Sequence, residues 1–282
     1  MKLHSIETEY FKLDGGAMFG VVPKVIWNKL NPADENNLCS WAMRCMLIED
    51  GDRKILVDTG IGDKQDAKFL GHYHLHGEHT LLKSLAEKGF SPEDITDVFL
   101  THLHFDHCGG SVKRNEQGEL IPAFPNAVYW SNESHWDTAT RPNAREKASF
   151  LRENILPIQE SGQLQFIPEV QDTAFTANIR VRFSYGHTKA MMYPLITYHD
   201  KTIVYMADVL PSTAHIPLPY VMAYDMFPLT TLEEKKAFLE EAEAKQYVLF
   251  FEHDPVHECC VLIKTDRGIR AGETFRLDEF LY

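Results

Sequence analysis

The chain has 282 residues, 44% of them hydrophobic, and a formal charge of −13 from 41 acidic against 28 basic side chains. That length suits one layered domain over residues 1–282, because no Pro/Gly/Ser-rich linker divides it. The acidic balance without a basic run disfavours a nucleic-acid surface, and no stretch approaches the roughly 18 apolar residues of a membrane span.

Apolar alternation predicts strands near 3–12, 20–27, 40–49, 53–58 and 96–101. The opening Met1-Lys2-Leu3-His4 lacks the apolar core of a secretory leader, so a cytoplasmic location is expected. Phe11–Pro23, with its glycines and Met18-Phe19, reads equally as a loop lining a cleft or as a plain β-hairpin. Lys54-Ile-Leu-Val-Asp58-Thr-Gly60 has the form of a strand running into an acid and a turn. Alternate histidines His72, His74 and His76, with His79, share one face if extended, which admits weak surface metal binding; a lid or plain loop is the favoured reading. A helix is expected over 79–88, ended by Gly89, and Ser91-Pro92 caps a short turn.

The most informative stretch follows. His102, His104, Asp106 and His107 fall within six positions directly after the apolar Asp97-Val98-Phe99-Leu100, and Gly109-Gly110 lets the backbone close on a bound ion. Imidazole and carboxylate together suit zinc, with iron, manganese or cobalt as alternatives. Four such ligands in one loop exceed what one open catalytic ion takes, so the spacing suggests two adjacent divalent metals. Cys108, beside them, reads as a small packing residue, and the five cysteines form no disulfide framework.

Further along, a helix is expected over 143–156. Three more apolar segments end in ligand-type residues: Ile179–Tyr185 before His187, Thr202–Ala207 before Asp208, and Tyr247–Phe251 before His253. Thr231-Leu-Glu-Glu234 has the form of a capping box opening a helix to about 245, with Leu232, Leu239 and Ala242 on one side. The tail looks like a hairpin around Asp266-Arg267-Gly268. Trp27, Trp41, Trp130 and Trp136 are candidates for a pocket wall, though most tryptophans simply pack.

Taken together, the His-x-His-x-Asp-His loop at 102–107, Gly-His-Thr at 186–188, Ala-Asp at 207–208 and Glu-His-Asp at 252–254 resemble the metallo-β-lactamase-fold superfamily of metal-dependent hydrolases. The resemblance implies an α/β protein, a four-layer αββα sandwich. It also implies two metal sites: His102, His104 and His187 around one ion, Asp106, His107 and His253 around the other, and Asp208 bridging. Asp58, and more weakly Thr101, would orient the ligand loop. The implied chemistry is hydrolysis of a small-molecule substrate by a metal-held hydroxide, with no protein nucleophile.

The layout is closest to the branch holding N-acyl-homoserine lactonases and methyl-parathion-hydrolase-like enzymes, which points to a lactone, ester or phosphotriester-like substrate. Two departures set this chain apart: Pro211 stands where lactonases of that branch carry a Tyr, and Lys189-Ala190 replaces a Pro-Gly turn after His187. Tyr220, Tyr224 and His215 are the candidates to replace the missing Tyr, and no proton donor is assigned. The alternatives are a thioester hydrolase of the glyoxalase II type, disfavoured because the chain stops soon after His253, and a non-catalytic metal-binding or sensor protein of the same fold. A homo-oligomer is left open.

Overall fold

The computed structural model describes residues 1–281. It divides into two compact units, Met1–Glu9 with Met43–Thr173, and Tyr10–Ala42 with the chain from Ala174 onward.

The first unit is built on a six-stranded sheet in the order Lys2–Ile6, Cys45–Asp50, Arg53–Val57, Asp97–Phe99, Val128–Ser131, Leu164–Phe166. The first three strands are antiparallel and the last four run parallel. Parallel strands require crossovers, so the loops after Val57, Phe99 and Ser131 all leave the same edge of the sheet. Ligands of open α/β sheets gather at that edge. Asp58, the loop 101–108 and the helix Glu133–Thr140 that carries His135 therefore share it. Beneath lies a core of Ile6, Leu47, Leu56, Val98, Tyr129, Phe124, Ile155 and Ile158, all buried.

The second unit holds a seven-stranded sheet in the order Thr173–Ala174, Ile179–Ser184, Met191–Tyr198, Lys201–Tyr205, Val248–Phe250, Cys259–Thr265, Gly268–Phe275. Strand 179–184 is antiparallel to 191–198, which is antiparallel to 201–205, which is parallel to 248–250. Strands 179–184, 201–205 and 248–250 thus point the same way, and His187, Asp208 and His253, which follow them, emerge at one edge. The crossover between the parallel pair is the helix Pro228–Ala244, which buries Thr231, Lys235, Phe238, Leu239 and Ala242 at helical spacing.

Several sequence expectations hold: the hairpin around 266–268, the strands at 53–57 and 97–99, the capped turn at Ser91, and the helix stopping before Gly89. Others need correction. Residues 20–27 are not a strand; Pro23 opens a short helix, Lys24–Trp27, which drops Trp27 into the core in a stack with Phe19 at 5.2 Å. The helix expected at 143–156 starts at Arg152 and runs to Glu160, because Asn143 caps the backbone of Arg145 and Glu146 in a turn instead. The helix assigned to a Thr231 capping box begins three residues earlier at Pro228, and Glu234 is taken by other donors. Phe11–Pro23 is neither reading: Phe11–Asp14 pairs with Leu38–Trp41, and Gly15–Phe19 is a helical turn capped by Asp14. His72 lies on the helix Ala67–Tyr73 and His74 turns left-handed (φ 46°), so these histidines share no extended face.

Candidate metal centre

In the first unit, the loop that follows strand 97–99 buries all four of its ligand-type side chains. His102 Nε2 and His104 Nδ1 lie 3.1 Å apart. Two ligands on a tetrahedral zinc at about 2.0–2.1 Å stand about 3.4 Å from one another, so this pair has the separation of donors that serve one cation. His107 Nε2 lies 3.8 Å from Asp106 Oδ2.

The ring orientations have identifiable causes. Asp58, wholly buried and held at φ 56°, accepts from Thr101 N at 2.8 Å, Thr101 Oγ1 at 2.6 Å and His107 Nδ1 at 3.1 Å. One carboxylate thus ties the start of the loop to its last histidine. His104 turns its Nε2 toward buried Glu146 Oε1 at 3.5 Å, and His135 Nε2 accepts the backbone N–H of Leu103 at 2.9 Å. Gly109 allows the loop to close: a Cβ there would stand 1.9 Å from the carbonyl oxygen of Ile61. Buried Lys64 donates to the Gly109 carbonyl, and burial lowers its pKa to about 8.

In the second unit, Asp208 stands between two imidazoles. Its Oδ2 lies 3.0 Å from His187 Nε2 and its Oδ1 3.2 Å from His253 Nε2. The far nitrogens are anchored, His187 Nδ1 on Asp225 at 2.8 Å and His253 Nδ1 on the Ala42 carbonyl at 2.7 Å. Burial alone lowers the pKa of His187, but the carboxylates of Asp208 and Asp225 outweigh it and raise it to about 10. The turn that presents His187 is gripped by Glu234, which accepts from Ser184 Oγ and from the amides of Tyr185 and Gly186. Gly186 is required where it stands, since a Cβ would meet Thr231 Oγ1 at 2.2 Å. His253 is further fixed by its backbone N–H on the Pro211 carbonyl.

The donor set fits a divalent metal of the zinc type. It offers imidazole and carboxylate only, buried, with the opposite ring nitrogens of His107, His187 and His253 engaged by acceptors, as ligating histidines require.

Four residues that sequence reasoning missed do positioning work: Asp225, Glu146, His135 and Glu234. No local pattern shows these roles, because each residue reaches its partner from a distant segment. Of the proposed replacements for the absent Tyr, His215 is excluded as a proton donor. Both its nitrogens are engaged, by Ser212 Oγ at 2.7 Å and the Met18 carbonyl at 2.9 Å, and burial pushes its pKa down to about 4. Trp27, Trp41 and Trp136 are buried core residues, and Trp130 donates to Asp97. The cysteines are buried and unlinked.

The sequence matches the metallo-beta-lactamase superfamily over residues 44–253, and the chain belongs to that superfamily. The fold agrees. A probable metal-dependent hydrolase from Staphylococcus aureus superposes with a TM-score of 0.88 at 29% identity, covering 98% of this chain and 96% of that one. The dizinc quorum-quenching lactonase AidC, solved with its product N-hexanoyl-L-homoserine, superposes with a TM-score of 0.76 at 25% identity over 97% and 94% of the two chains. Among sequence relatives, an N-acyl homoserine lactonase from Bacillus cereus is 24% identical over 242 residues, 80% of this chain and 85% of that protein. The chain is a metal-dependent hydrolase with the metallo-β-lactamase fold. Among the described residues no helix is long and apolar enough to cross a membrane.

Proposed function

We propose that the chain hydrolyses small lactones, with carboxylic esters and phosphotriesters as secondary substrates, at a dinuclear centre. His102, His104 and His187 hold one ion and Asp106, His107 and His253 the other; Asp208 spans the two, and residues 1–282 act as one functional domain. The observation that carries this reading is Asp208, whose two oxygens face two different histidines at 3.0 and 3.2 Å. A carboxylate serving one ion has no use for that arrangement; one shared by two ions does. Two zinc ions so held would supply Lewis acidity and bring the pKa of water to about 7.

The protein's own part is placement. Asp58, Asp225 and the Ala42 carbonyl fix the tautomers of His107, His187 and His253, so that each directs Nε2 and not a proton toward the centre. Burial keeps these side chains from competing with water for alternative partners. Similarity to lactonases at 24–25% identity supports the substrate class. Pro211 in place of the Tyr expected for that branch predicts a pocket unlike theirs in how the leaving group is met. The test is a turnover screen across N-acyl homoserine lactones, aryl esters, thioesters and organophosphates with the metal-loaded protein. Lactone turnover exceeding the rest supports the reading, and preference for thioesters would replace it.

A further inference from the structure

The second unit contains a cleft of about 660 Å³ that the site described above does not use. That volume lies in the range of small-molecule sites. Its walls come from the segment 29–32, the loop 212–220 and the stretch 254–257, closed by Arg270 and Ala271 on the last strand.

The polar groups of this cleft are unevenly matched. Its one carboxylate, Asp254, already accepts four bonds: Thr213 N at 2.9 Å, Thr213 Oγ1 at 2.6 Å, Val256 N at 2.9 Å and His257 N at 2.7 Å. Lys29 and Arg270 have no such partner. Among the described residues neither forms an ion pair, and the Arg270 guanidinium donates only to the neighbouring Ile269 carbonyl. His257 and Tyr220 add two further polar tips. The cleft therefore offers unneutralised cations in a chain whose net charge is −13. Asn31, Ser212 and Thr213 also line it, and its apolar wall is chiefly Leu30, Pro32, Pro217, Pro219 and Val256.

The walls are also held in place before any ligand arrives. Lys235, 1% exposed, reaches from the helix 228–244 to the carbonyls of Pro217 at 2.8 Å and Tyr220 at 2.9 Å. His215 stacks on Phe19 at 4.7 Å and bonds the Met18 carbonyl. A buried lysine that fixes a loop of prolines removes the ordering cost a ligand would otherwise meet.

We propose that this cleft is an accessory binding site for an amphipathic carboxylate, its acyl chain against Leu30 and the prolines and its headgroup on Arg270 and Lys29. Thr213 and Asp254 tie this wall to the segments that follow Asp208 and His253. An occupant would therefore bear on the backbone that presents both.

The experiment is calorimetric titration of the metal-loaded protein with octanoate and with inorganic phosphate. Octanoate is expected to bind at one site beyond any at the metals, and Arg270→Gln or Lys29→Gln should weaken it about tenfold or more, the scale of a lost hydrogen bond to a charged group. Lactone turnover in the absence of octanoate should be unchanged in both variants. Octanoate binding that survives both substitutions but is lost in His104→Ala would place the ligand at the metals and overturn the proposal. Phosphate binding as tightly as octanoate would overturn the amphipathic assignment, and no binding of either would overturn the site.

Discussion

Asp58→Asn tests how the ligand loop is held. The substitution is isosteric, and the site is wholly buried, so volume is conserved. Thr101 N donates to Oδ1, while Thr101 Oγ1 and His107 Nδ1 both address Oδ2. An asparagine that keeps its oxygen toward Thr101 N puts its NH₂ where Oδ2 was. The threonine hydroxyl can rotate and accept. His107 can meet the NH₂ only by giving up its Nδ1 proton, which moves that proton to Nε2, the nitrogen required for the metal. Loss of such a partner typically weakens metal affinity 10–100-fold, about 1.4–2.7 kcal/mol. Zinc titration against a chromophoric chelator should show one of two sites weakened by that factor and the other within about twofold. Unchanged affinity at both sites would refute the tautomer argument and His107 as a ligand.

Other expectations follow from the same structure. Gly109→Ala, with its Cβ 1.9 Å from the Ile61 carbonyl, should cost several kcal/mol or prevent folding, measurable as loss of soluble protein or of the urea midpoint. Burial lowers the pKa of Lys235 to about 7 from 10.5, against the pull of Asp225. Between those values the unfolded chain binds a proton the native chain does not, so stability should rise with pH through that window by up to about 1.4 kcal/mol per unit. Lys235→Met should flatten that slope relative to wild type in urea melts at several pH values; an identical slope would contradict it. Glu234→Gln removes the charge that grips the His187 turn and should lower stability by about 1–3 kcal/mol in the same melts, since Gln can accept only part of the three bonds.

The proposed ligand residues were legible because of where they sit. Each falls at the end of an apolar strand, and four crowd into one loop, so local pattern sufficed to find them. The residues that hold them were not legible. Asp225 reaches His187 and Glu146 reaches His104 across folded distance, and a lone acid in a loop carries no sign of its partner. Tertiary packing also overrode the strand expected at 20–27, where a short helix puts Trp27 in the core beside Phe19. At Glu234 the capping-box spacing was present, yet the side chain serves the amides at 185–186 from another element. The proline-lined cleft left no sequence trace at all, because its walls come from four separate segments.

The most direct test of the account is metal content of the purified protein measured alongside lactone turnover, before and after chelation. Close to two ions per chain are expected, with activity lost on chelation and restored by zinc, and both properties lost together in Asp208→Ala. One ion per chain with full activity, or turnover that survives Asp208→Ala, would contradict it.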